Sequence, residues 1–106
     1  NRGLASLTET WARVGAPNIR VNELMLGLMD HWNGPGSRGW ELLSAAEKEQ
    51  LVQHTLLQRT GRPDDVAGAV LFLVRDADFM TGACLRIDGG FVLGGEQVPD
   101  MPEGVL

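Results

Sequence analysis

Leu4, Leu7, Trp11 and Val14 recur at helical spacing, with polar Thr8, Glu9 and Arg13 between them. That period predicts an amphipathic helix carrying an apolar stripe. Gly15 and Pro17 end it, because neither continues a helix well. Residues 19–26 (IRVNELML) follow. Ile19, Val21 and Met25 fall on one side and Leu24 and Leu26 on the other. Apolar residues on both sides predict a strand covered on both faces, as in a parallel sheet. Asn22 and Glu23 are its polar exceptions.

Residues 27–43 break the pattern with Gly27, Gly34, Pro35, Gly36 and Gly39, interleaved with Trp32 and Trp40. Order resumes at Ser44-Ala45-Ala46-Glu47, which fits a capping box opening a helix over residues 45 to about 54. Gly61-Arg62-Pro63-Asp64-Asp65 opens the next helix. Proline suits a first turn, and two acids there complement the positive end of the dipole. Val66, Ala69, Val70, Leu73 and Val74 are its expected buried stripe. A second strand spans residues 83–87, from Ala83 to Ile87. Asp88-Gly89-Gly90 stops it, since glycine tolerates positive φ.

The order is helix, strand, excursion, helix, strand. That is one βαβ crossover with a long insertion, and it predicts that the two strands are parallel neighbours. No internal repeat is visible. Two parallel strands alone close little core in a chain of 106 residues. The pattern therefore points to further strands upstream or to an intertwined oligomer.

Composition adds exclusions. Hydrophobic residues at 43% and charged residues at 22% describe a globular chain rather than a disordered one. A net charge of -5 offers no basic footprint for nucleic acid. The apolar runs are too short to span a membrane. The single Cys84 forms no internal disulfide, so a cytoplasmic location is expected.

Three stretches then carry a resemblance. Ile19-Arg20-Val21-Asn22 with Gly27 resembles the I-R-V-N-x-x-x-P-G strand and turn of the short-chain dehydrogenase/reductase family. Gly61-Arg62-Pro63-Asp64-Asp65-Val66-Ala67, with Leu71-Phe72-Leu73 behind it, is similar to that family's G-x-P-E-D-V-A helix start. Thr81-Gly82 and then Asp88-Gly89-Gly90 resemble its I-T-G-x-x-x-x-V-D-G-G ending. All three occur in order over about residues 1–93.

The resemblance implies an α/β fold: the last two strands, with flanking helices, of a Rossmann-type doubly wound parallel sheet. Residues 1–93 would form the C-terminal part of the oxidoreductase domain, with a substrate loop at 28–58, and residues 94–106 an extended C-terminal arm. It implies a parent enzyme moving a hydride between NAD or NADP and a carbonyl or alcohol carbon of a small molecule. It also implies a homo-oligomer through residues 66–74 and 83–87, the segments Val66 to Val74 and Ala83 to Ile87.

The family's Tyr-x-x-x-Lys pair, in which the lysine depresses the tyrosine pKa, would lie just upstream. Asn1 falls at or beside the lysine position, and the chain holds no tyrosine. No catalytic residue is therefore assigned within the chain, which is expected to be inactive alone. The implied cofactor-facing residues are Asn1, Leu26, Gly27, Leu28, Met29 and His31. Leu26 stands where the family has proline, and His31 near where a threonine often binds the carboxamide. A degenerate relative, binding a nucleotide or partner without turnover, is the alternative that Asn1 and Leu26 favour. Met29, Trp32 and Trp40 suit either an apolar substrate pocket or ordinary packing, whereas Met25 is read as core.

Other motifs are set aside. Gly34-Pro35-Gly36-Ser37-Arg38-Gly39 matches G-x-G-x-x-G, but no strand immediately precedes it, so it is read as a loop. His31 and His54 are too isolated to ligate a metal. Asp64, Asp65, Glu47 and Glu49 are expected to be solvated charges at helix starts.

Overall fold

A computed structural model of the chain describes residues 2–30, 39–95 and 102–104. Its main elements are helix α1 (Arg2–Gly15), strand β1 (Glu23–Leu26), helix α2 (Ala45–His54), helix α3 (Pro63–Leu71) and strand β2 (Cys84–Ile87). Short 3-10 turns lie at Trp40–Leu42 and Phe91–Leu93. β1 and β2 pair in parallel, Glu23 with Cys84 through Leu26 with Ile87. The expected crossover is therefore present. Leu24, Leu26, Leu85 and Ile87 share one half-buried face of the ladder.

The first strand is shorter than the pattern of residues 19–26 predicts. Side-chain bonds and one backbone bond, not a ladder, hold residues 20–22. Arg20 Nη1 donates to the Ala77 carbonyl at 2.8 Å. Asn22 Nδ2 donates to the Met80 carbonyl at 3.0 Å, and its Oδ1 accepts from the Ala83 amide at 3.1 Å. The turn at Gly82, with φ 72°, lies opposite, and its amide donates to the Val21 carbonyl. Pairing starts only beyond this clamp.

α1 turns a different face inward from the one its apolar stripe suggests. Ala5, Thr8, Ala12 and Gly15 form its more buried side, and Thr8 and Ala12 are buried. Thr8 Oγ1 lies 3.5 Å from Glu23 Oε2, and a Cβ built on Gly82 would stand 3.4 Å from Ala12 Cβ. Small side chains let the helix approach the start of the ladder closely. The large stripe of Leu4, Leu7, Trp11 and Val14 is exposed, by 49 to 67%. Met25, expected in the core, is likewise exposed, whereas the polar Glu23 on the same face of β1 is buried beneath Thr8.

α3 begins as expected, with Pro63 in its first turn, and widens into a π-helical turn over Phe72–Asp76. Its expected stripe is not buried. Val66, Ala69 and Leu73 are half-buried, while Val70 and Val74 are exposed. A two-stranded ladder lacks the width to cover it. Among the described residues the buried apolar set is Ala12, Met29 and Ala77 alone. No described helix is long and apolar enough to cross a membrane.

The Asn22 clamp gives a test. Asn22→Ala leaves the Ala83 amide without its partner and the Met80 carbonyl with only the longer contact from Arg20 Nη1, at a cost of about 1–3 kcal/mol. In the protein that carries this chain, the urea midpoint should fall with the slope of the transition unchanged.

Candidate functional site

Both strands end at the same level, Leu26 opposite Ile87. Two turns therefore leave the same edge of the ladder side by side. This is the edge where open parallel sheets hold ligands. The turn after β1 runs from Leu26 to Asp30, and that after β2 from Asp88 to Gly90.

The two turns touch at Gly27. A Cβ there would stand 2.7 Å from Asp88 Cα and Cβ. The missing side chain is thus first a requirement for packing turn against turn. Asp88 shapes the second turn: Oδ1 accepts from the Gly90 amide at 2.9 Å and Oδ2 from the Val92 amide at 3.2 Å. Gly89 and Gly90 take φ of 59° and 83°.

The chain returns to this edge at residues 55–61. The Leu57 amide donates to the Gly89 carbonyl, the Gly61 amide to the Leu28 carbonyl, and the Asp30 amide to the Gly61 carbonyl, at 2.8 to 3.0 Å. Met29 and Gly61 form a parallel bridge. Met29 is only 5% exposed, its thioether lying against Gly61. The Thr60 hydroxyl donates to Asp30 Oδ1.

Between these segments opens a cleft of about 480 Å³. Met29, Leu56 and Leu57 supply apolar walls, and Arg59, Asp65 and Arg86 line it with charge. Arg59 and Asp65 pair through two hydrogen bonds of 2.8 and 3.1 Å. Asp65 also accepts from the Arg62 amide at 2.7 Å, closing the first turn of α3. The hydrogen bond from Arg59, and then that from the Arg62 backbone, lower the Asp65 carboxyl to a pKa of about 2. The same hydrogen bond raises the Arg59 guanidinium further. Asp65 is therefore a paired capping residue rather than the solvated charge expected. No sequence period announces its partnership with Arg59, which lies six positions before it and directly after Gln58 at φ 54°.

Of the sequence-derived site residues, Leu26, Gly27, Leu28 and Met29 stand together on the first turn, and Met29 reaches the cleft. Trp40 is half-buried, with the Lys48 ammonium 5.9 Å from its ring centre. It does not line the cleft with Met29. Asn1, His31 and Trp32 lie outside the described residues, as does the stretch from Gly34 to Arg38. A second cavity of about 420 Å³, lined by Leu43, Leu51, His54 and Phe91 among others, sits between α2 and the Phe91–Leu93 turn. His54 packs on the Phe91 ring at 4.8 Å. Among the described residues no cluster could hold a metal ion. The Ser44–Glu47 capping box forms as expected.

With this geometry, the family model described as enoyl-(acyl carrier protein) reductase matches residues 2–92. The chain belongs to the short-chain dehydrogenase/reductase family. It is 52% identical over 93 residues to 4-formylbenzenesulfonate dehydrogenase TsaC1/TsaC2 of Comamonas testosteroni, covering 84% of this chain and 33% of that protein. It is 33% identical over 93 residues to 3-oxoacyl-[acyl-carrier-protein] reductase FabG of Thermotoga maritima, covering 86% of this chain and 35% of the relative. The chain thus spans about a third of these relatives' length. Among solved structures, 4-hydroxyisoleucine dehydrogenase complexed with NADH superposes with a TM-score of 0.71 at 26% identity, over 87% of this chain and 37% of that one. The fold is that of the family's Rossmann-type sheet, here with its parallel β1–β2 pair.

The first turn carries apolar side chains and backbone groups already paired with Gly61. Leu26 and Leu28 present half-buried apolar side chains at the strand's carboxyl end. The Leu28 carbonyl and the Asp30 amide are taken by Gly61.

The Asp65 pair makes acid stability testable. A carboxyl depressed from 3.8 to about 2 stabilises the fold fully above the unfolded value, and that contribution is lost as pH falls through about 2. Asp65 is exposed enough for solvent to screen much of this. Asp65→Asn should therefore flatten the part of the stability profile between about pH 4 and pH 2. Thermal melts of both proteins across that range check it.

Proposed function

We propose that the protein carrying this chain is a nicotinamide-dependent oxidoreductase acting on a carbonyl or alcohol carbon of a small molecule. The observation that carries this reading is the paired edge: two parallel strands ending level, with the Leu26–Asp30 turn packed on Asp88 through Gly27. Family membership and the NADH-bound structural relative support it. The bound cofactor would supply the hydride.

In this reading Leu26, Gly27, Leu28 and Met29 form a wall beside the nicotinamide, with His31 and Asn1 completing it. Met29, Trp32 and Trp40 would face the substrate; for Met29 the cleft supports this, whereas Trp40 is drawn toward Lys48. The Tyr-x-x-x-Lys machinery would act from outside these residues. Either NAD or NADP is admitted, since the chain holds no group assigned to the ribose. A cytoplasmic enzyme fits the single, unbridged Cys84. Assembly through residues 66–74 and 83–87 would cover Val70 and Val74, both exposed.

A second reading has one observation in its favour. Leu26 replaces the family's proline at the strand end, which suits a relative that binds a dinucleotide without turnover.

Binding and turnover separate these readings. The protein should quench with NADH or NADPH in fluorescence titration and oxidise one of them with an aromatic or aliphatic aldehyde. Binding without turnover across a panel of aldehydes, ketones and alcohols would favour the second reading. Absence of binding to both dinucleotides would sink both. The 106-residue chain by itself should show no turnover.

A further inference from the structure

The Leu26–Asp30 turn is held from outside its own strand. Its far end is fixed by residues thirty or more positions away in the chain, at Thr60 and Gly61. Two backbone hydrogen bonds join Leu28 and Asp30 to Gly61. Those bonds would suit many sequences. The bond from the Thr60 hydroxyl to the Asp30 carboxylate depends on these two side chains. Both residues are half-buried, and a hydrogen bond to a charged acceptor is stronger than a neutral one.

Thr60 is fixed at its other end as well. Arg59 Nη1 donates to the Thr60 carbonyl at 2.9 Å while the same guanidinium holds Asp65. Asp65 in turn closes the first turn of α3 through the Arg62 amide. A continuous polar chain therefore runs from the α3 start through Arg59 and Thr60 to Asp30. Met29 lies one residue before Asp30, buried against Gly61.

We propose that Asp30 and Thr60 are positioning residues: their hydrogen bond sets the Leu26–Asp30 turn, and with it Met29, at the height that the cofactor ring requires. The cofactor half of this statement rests on the reading of that turn as nicotinamide-facing; the clamp itself does not. Neither side chain touches the cofactor in this proposal. Both act through the turn.

Two measurements on the protein that carries this chain test it. The first needs no cofactor. Hydrogen exchange at the Gly61 amide, which donates to Leu28, reports the closure of the clamp directly. Thr60→Val keeps the shape and removes the donor; it should speed that exchange about three- to tenfold, the loss expected of one hydrogen bond. Thr60→Ser should restore the wild-type rate. Asp30→Ala should speed exchange as much as Thr60→Val, and the double variant no more than either, because the two act through one bond. Should Thr60→Val not fold, Asp30→Ala against Asp30→Asn, which keeps an acceptor, reads the same contact.

The second measurement is the dissociation constant for NADH and NADPH. Thr60→Val should weaken the preferred dinucleotide by a similar factor, with Thr60→Ser returning it. Unchanged exchange at Gly61, or a Thr60→Ser protein as fast as Thr60→Val, overturns the clamp. Faster exchange with unaltered dinucleotide affinity overturns the positioning role. A wild-type protein that binds neither dinucleotide overturns the functional reading and the cofactor half with it, while the exchange data still decide whether the clamp exists.

Discussion

Everything at the candidate site depends on one pairing. Because β1 and β2 run parallel with Leu26 opposite Ile87, their exits leave the sheet at the same height. The first exit can then press Gly27 against Asp88, and the second can anchor Leu57 through the Gly89 carbonyl. A slip of one residue would swap the faces of Leu24 and Leu26 with those of Glu23 and Met25. It would also move Gly27 away from the only backbone that demands a glycine there. Register, rather than any single side chain, builds the site.

Around that pairing the polar groups do more locating than the apolar ones. Arg20, Asn22, Asp88, Asp65 and Thr60 each bind backbone or a charged partner at a chain reversal. The buried apolar residues are few and small, apart from Met29. Apolar surface is left open at the Leu4–Leu7–Trp11–Val14 stripe on α1 and at Val70 and Val74 on α3.

Much of the fold was legible in the chain because its signals are local. Ser44 and Glu47 sit three residues apart, Pro63 stands in a first turn, and Asp88-Gly89-Gly90 carries its own turn chemistry; each behaves as its sequence says. The family resemblance was legible on those same motifs. Less legible was which side of α1 faces inward. Hydrophobic period favours Leu4, Leu7, Trp11 and Val14, yet close approach to Gly82 selects Ala5, Thr8 and Ala12. Packing distance overrode hydrophobicity there. Arg59 with Asp65 and Thr60 with Asp30 were hidden for another reason. Arg59 reaches Asp65 six positions on, at the start of α3, and Thr60 reaches Asp30 across thirty; no periodicity encodes either.

The separation between the paired strands also sets the order in which the chain organises. Glu23 meets Cys84 across a sequence separation of 61, so the ladder pays a loop-closure entropy that α2 and α3 do not. The caps of α2 and α3 close over three residues, whereas the ladder has to close the whole crossover. Until then the edge of β1 and the strand-forming residues of β2 stand open to other chains. The exposed Arg86 places a charge on β2, the kind of side chain that discourages pairing with other chains.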